Sequence, residues 1–166
     1  MVISVQVRRW RWPLLAAGAV VLAVVGVSFL SLPLRDSDKV EAAQGLVAWI
    51  VEGRPVPGFG EEYRGAQWMP ERKRFFVICG FLPAEVPLSN DPRVQRISAQ
   101  EHEAVFKKHQ FDDTDYITIK LKSESESEIV LEFSNLFSSK AGHGYKFEFR
   151  RKIWGLRASG KFLWVS

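Results

Sequence analysis

One cysteine and three histidines are the whole stock of soft or switchable ligands in this 166-residue chain. A lone Cys79 closes no internal disulfide. It stands in Phe75-Phe76-Val77-Ile78-Cys79, an apolar run that reads as the setting of a buried, inert thiol. No Cys-x-x-Cys or His-x-x-x-His spacing occurs. His102 and His109 are seven residues apart, about 10 Å along a helix, too far to share an ion. No metal and no cofactor is therefore expected. Asp112-Asp113-Thr114-Asp115 has the acid density of a calcium loop, but position twelve counted from Asp112 is Ser123 and no glycine intervenes, so an acidic turn feeding a strand is expected. Gly-x-Ser-x-Gly is missing. No glycine-rich phosphate loop is present, and Gly58-Phe59-Gly60 runs into Glu61-Glu62, which would repel a phosphate.

An excess of one charge is missing too, once the chain is divided. The formal net charge of +4 comes from 23 Lys and Arg against 19 Asp and Glu. Three of those cations, Arg8, Arg9 and Arg11, precede an apolar segment; without them 20 face 19. Nucleic-acid binding through net charge is excluded for the remainder.

What the chain does have is Pro13 to Leu34, PLLAAGAVVLAVVGVSFLSLPL, 22 residues with no charge. At about 1.5 Å per residue a helix of that length spans a hydrocarbon core of roughly 30 Å. A cleaved signal peptide would have an apolar core of roughly 7–15 residues and a small-x-small exit, and Ser28-Phe29-Leu30-Ser31-Leu32 offers none. The expected organisation is a cytoplasmic tail (1–11), one transmembrane helix (12–34) and one extracytoplasmic domain (35–166) in an inner or plasma membrane. The arginines before the run set this orientation, and Trp10 and Trp12 fit the interfacial belt. Gly18 and Gly26 are the places where a second transmembrane helix, from a membrane-protein partner, would approach most closely.

The domain reads as α+β. Asp36-Ser37-Asp38 opens an amphipathic helix over about 39–52, stopped by Gly53 and Pro55. Arg54 to Pro70 is a loop with Phe59, Tyr63 and Trp68, expected as a packed cover. Residues 73–82 make a strand apolar on both faces, and 93–97 a short one. Ser98 and Glu101 form a capping box for a short helix to His109. Then the period becomes two: Ile117, Ile119, Leu121; Ile129, Leu131, Phe133; Tyr145, Phe147, Phe149; and a last strand with Phe162 and Trp164. Turns are expected at 123–127, 141–144 and 157–160. The result is an antiparallel β-meander packed on one long and one short helix.

The order of these elements resembles the NTF2-like and cystatin-like group of curved sheets wrapped on a helix. The ending from Gly142-His143-Gly144-Tyr145 through Trp154-Gly155 to Trp164-Val165-Ser166 is similar to the final hairpin of uncharacterised bacterial membrane-anchored domains of that kind. The resemblance covers residues 116–166. It implies a cone-shaped fold and brings no catalytic residues.

Residues 112–132 carry seven acidic and two basic side chains, whereas 140–166 carry seven basic and one acidic, a pattern that neutralises across neighbouring strands. Arg150, Arg151, Lys152, Trp154, Arg157 and Lys161 interleave cations with indole and form the candidate surface for a partner or for lipid headgroups. Three functions follow in order of preference. The first is a non-enzymatic anchored interaction domain, an accessory subunit of a membrane complex. The second is a small-ligand cone. The third is an enzyme using the cone's pocket, with His143 or Asp115 as base. A pocket lined by converging polar groups favours the latter two, and a core filled by Phe133, Phe147, Phe149 and Trp164 favours the first.

Overall fold

A computed structural model describes residues 30–59, 74–111 and 113–165. Two helices, α1 (Asp36–Val51) and α2 (His102–His109), accompany six strands: β1 (Arg74–Cys79), β2 (Val94–Ile97), β3 (Thr114–Glu124), β4 (Glu128–Leu136), β5 (Gly142–Lys152) and β6 (Gly155–Val165). They form one sheet in the order β2-β1-β3-β4-β5-β6. The α+β class stands. The sheet is mixed, however: β1 lies parallel to both β2 and β3, and only β3 to β6 form the antiparallel meander. Strand β1 is the central, doubly buried strand that its unbroken apolar run called for, since a parallel strand is covered on both faces.

That double burial places the two helices on opposite faces. Phe75, Val77 and Cys79 of β1 join Ile117, Ile119, Leu131, Phe133, Phe147 and Phe149 against α1, while Phe76 points the other way, with Ile97 and Tyr116, against Val105 and Phe106 of α2 and the following Phe111. The period-2 alternation of β1 and β3 carries both cores. On the α1 side Trp49 is the hub. Its ring meets Phe133, Tyr145, Phe147 and Phe59 edge-on, at centroid distances of 5.8, 5.2, 5.5 and 5.8 Å. Phe59 thus bears out the packed-cover reading for the first part of the 54–70 loop; Tyr63 and Trp68 lie outside the described residues. Over the β1–β2 end the cover is the connection 80–93. Arg96 of β2 stitches it down by donating to the carbonyls of Cys79, Leu82, Pro83 and Val86.

Three expectations at the ends of elements are corrected; one is the turn placed at 141–144, since Gly142 to Gly144 already belong to β5 and the chain reverses over 137–141. Residues 30–34, assigned to the membrane helix by their lack of charge, are extended and not helical. Their backbone is claimed by the domain: Leu32 N–H donates to Arg151 O at 2.9 Å and Leu34 N–H to Glu126 O at 2.8 Å. The rest of the expected span, with Gly18 and Gly26, lies outside the described residues. Among the described residues no helix is long and apolar enough to cross a membrane. The third correction concerns the last turn. Residues 157–160 are strand, and the chain reverses at Ile153-Trp154, where Gly155 takes φ +104°. Gly160 had suggested the turn, but its role is steric: a Cβ there would come within 2.5 Å of the Phe59 ring and 2.8 Å of Phe147. Trp154 is exposed at that reversal.

The start of α1 is fixed by Asp38. Its Oδ2 accepts the Arg35 N–H at 2.8 Å, the reciprocal half of a cap. Its Oδ1 accepts from the Arg151 guanidinium of β5. Asp38 is fully buried and Arg151 is partly buried, its side chain 18 % exposed. Removing one partner leaves an uncompensated charge, so Arg151→Met should cost about 2–4 kcal/mol. Asp38→Leu combined with Arg151→Met should recover part of that loss. Urea unfolding of the three variants checks it; a double variant weaker than both singles would contradict it.

Candidate functional site

The structure divides the basic, aromatic set between different places. Arg151 points inward to Asp38. Arg150, on the opposite face, is held by Glu128 across the β4–β5 ladder, with Nε to Oε2 at 2.7 Å. Lys152 reaches Ser31 Oγ at 3.0 Å. Arg157 and Lys161 are exposed on the Arg150 face of β6, where Lys146 and Glu148 also pair at 3.1 Å. Lys122 and Glu132 pair at 2.8 Å between β3 and β4. This face is the mutually neutralised sheet surface that the charge blocks predicted, with Arg157 and Lys161 at its rim. Trp154 stands apart, 68 % exposed on the β5–β6 turn beside Ile153.

Both hairpin tips and the start of α1 lie at this same end. Leu34 runs past the β3–β4 tip and Leu32 past the end of β5. Lys39 of α1 reaches Glu124 at 2.8 Å. Leu30, Ile153 and Trp154 are its exposed large apolar side chains. Sequence alone missed Leu30, counted within the membrane span, and Ile153, to which it gave no role.

A second apolar surface occupies the opposite end of β6. Phe162, Leu163, Trp164 and Val165 are four consecutive exposed apolar residues on an edge strand, with Val165 at 71 %. The first half of that edge is covered, since Ala158 N–H donates to Pro57 O at 2.7 Å. A register shift opposite Gly144/Tyr145 breaks the alternation, so side chains on both faces of this stretch are apolar. Trp164 lies over Gly144, where an added Cβ would come within 2.4 Å of the indole nitrogen. Trp164 is therefore not a core residue, whereas Phe133, Phe147 and Phe149 are. The unbroken run Phe-Leu-Trp-Val was the sequence signal for an exposed apolar edge.

The two candidate bases come together. Register places Asn135 beside both Ile117 and His143, and Asn135 Nδ2 donates to Asp115 Oδ2 at 3.3 Å. Asp115 and Asn135 are buried, and His143 is half-buried between the rings of Phe137 and Tyr145. Burial drives the His143 imidazole down to about 4, so it is neutral at physiological pH and a weak base. The group is a packed polar row beside the aromatic core and opens into neither of two shallow clefts. One, about 310 Å3, lies between α1 and the 54–57 segment; the other, about 290 Å3, lies between α2 and the β4–β5 connection. Trp49 and its aromatic neighbours occupy the face where a cone would hold its ligand.

The remaining candidates behave as ordinary structure. Asp113 and Thr114 lead into β3, and Asp113 O accepts the Arg74 N–H; Asp112 lies outside the described residues. His109 Nδ1 meets Arg74 at 3.1 Å and His102 packs on Tyr116. Among the described residues no three His, Cys, Asp or Glu side chains are grouped to hold a metal.

Two measurements follow from burial. The folded His143 takes its proton near pH 4, while the unfolded chain takes it near 6.5. Between those values the unfolded state holds more protons, so this residue's share of stability is complete above pH 6.5 and shrinks as the pH falls towards 4. Urea titrations of the wild type and His143→Gln should diverge in slope over that window; parallel slopes would refute it. The Cys79 thiol is pushed up to about 11 by burial. An aromatic disulfide reagent at neutral pH should leave it untouched in the folded chain and label it fully in guanidinium.

The chain matches no family model, no curated protein and no solved structure.

Proposed function

We propose that this chain is a single-pass membrane-anchored interaction domain without catalytic activity, an accessory subunit of a larger membrane complex. Residues 1–11 are cytoplasmic in this reading, and the domain is extracytoplasmic. The uncharged run and the arginines before it support the anchor and its orientation. The observation that carries the interaction role is the exposed β6 stretch Phe162–Val165. An apolar edge strand invites pairing with another chain, and soluble domains blunt such edges with charge, proline or a covering loop. Among the described residues, the backbone bond that covers this edge is the one from Ala158 N–H to Pro57 O, and Phe162–Val165 lie beyond it. The partner surface is therefore this edge, with Arg157 and Lys161 beside it. Membership of the NTF2-like or cystatin-like group is part of the same reading: a long helix on a four-strand antiparallel meander supports it, and the parallel β1–β2 pair is an addition to that plan. The filled core speaks against a ligand cone.

Mild-detergent purification of the full chain from its native membrane tests the proposal. A stoichiometric membrane protein should co-purify with the wild type and be lost from Leu163→Glu/Val165→Glu, which alters only exposed side chains. Exchanging residues 1–29 for an unrelated span should leave the partner bound. Loss on that exchange would move the contact to the span and to Gly18 and Gly26. A wild-type chain that emerges alone sinks the reading.

A further inference from the structure

We propose that the end of the domain formed by Leu30, Ile153 and Trp154 sits within the bilayer interface and holds the sheet upright on the membrane. This rests on the anchored reading above and adds to it a contact surface and an orientation. Leu32 is already bonded to the sheet through Arg151 O, and Lys152 holds Ser31. Only Leu30 and Ser31 separate that tie from Phe29. Three chain steps of roughly 3.3–3.6 Å each let the end of β5 stand no more than about 10 Å from the point where an apolar span would stop. The headgroup layer on each side is itself about 5–8 Å deep. The β5–β6 turn, two residues beyond Arg151, is therefore within reach of that layer.

The side chains presented there suit that depth. Leu30 and Trp154 are more than half exposed and Ile153 is 39 % exposed. Tryptophan on a turn is the residue type that membrane interfaces collect. The span has also been shortened: with 30–34 extended, Pro13 to Phe29 leaves 17 residues, about 26 Å of helix against roughly 30 Å of hydrocarbon. An apolar turn dipping inward accommodates that mismatch. Three of the cations at this end, Arg150, Arg151 and Lys39, are paired with Glu128, Asp38 and Glu124, while Lys152 rests on Ser31 and Arg35 is exposed. The contact proposed is the apolar one of Leu30, Ile153 and Trp154, and it should not require anionic lipid.

The test uses full-length chain in vesicles of phosphatidylcholine, with and without phosphatidylglycerol. Trp154→Cys and, at the opposite end of the sheet, Ser139→Cys each take a nitroxide label; buried Cys79 does not compete. The expected result is a label at 154 that meets dissolved oxygen in preference to a water-soluble nickel chelate, at a depth of about 5–10 Å, in both lipid mixtures. The label at 139 should meet the chelate. A chain that survives an alkaline wash on the vesicles but carries a water-exposed label at 154 overturns this inference and leaves the anchor intact. A depth that appears only with phosphatidylglycerol overturns the apolar contact. A chain washed off the vesicles overturns the anchor and this inference together.

Discussion

The buried pair of Asp38 and Arg151 is the constraint on which the arrangement turns. One carboxylate serves three ends at once. It caps α1 through the Arg35 N–H, neutralises the guanidinium that β5 sends under the helix, and thereby places the Arg151 carbonyl where Leu32 can bond to it. A charge this deep is costly to bury alone, so helix start, strand end and incoming chain are fixed together or not at all. The hub at Trp49 then fixes the other end of α1 by packing alone. A polar clamp at one end and an aromatic one at the other set the angle of the helix across the sheet.

From that angle follows the division of the sheet's two faces. Around Trp49 the α1 face is filled with rings, and the cleft on that side is the shallow one between α1 and the 54–57 segment. Its other face is divided between α2, over β1 and β3, and a solvated field of cross-strand ion pairs over β3 to β6. Among the described residues, the exposed large apolar side chains gather mainly at the two ends of β6, the turn that opens it and the last residues that close it, with Leu30 beside the first and Leu136 of β4 exposed as well. The proposed contacts are placed at those two ends for that reason.

Much of this was legible in the sequence. Period-2 alternation located β3, β4 and β5, the Ser98–Glu101 box preceded α2 with both of its hydrogen bonds in place, and the doubly apolar run at 75–79 announced a central strand. Four things were not legible, each for a physical reason. Lack of charge at 30–34 fits a membrane and fits equally a short extended segment laid on a domain, and only backbone partners distinguish the two. A glycine at 160 signals a turn or the close approach of a ring, and the ring was Phe59, a hundred residues away in the chain. The inward turn of Arg151 was hidden because alternation assigns it the core face, where a cation makes sense only once buried Asp38 is known. The polar row of Asp115, Asn135 and His143 was equally invisible as a group, since strand register alone brings the three together.

The lengths of β5 and β6 have a mechanical consequence. Each has 11 residues, and at about 3.3 Å per residue the ladder is a stiff post roughly 35 Å tall. Under the proposed anchor, which would hold its base at a bilayer by a short linker, the Phe162–Val165 edge would be carried at a fixed altitude of roughly 25–35 Å. Such a post would work as a ruler. It would exclude partners that barely rise above the headgroups and select those whose own extramembrane part offers an open edge at that height, so that geometry would do the sorting before any side chain is read.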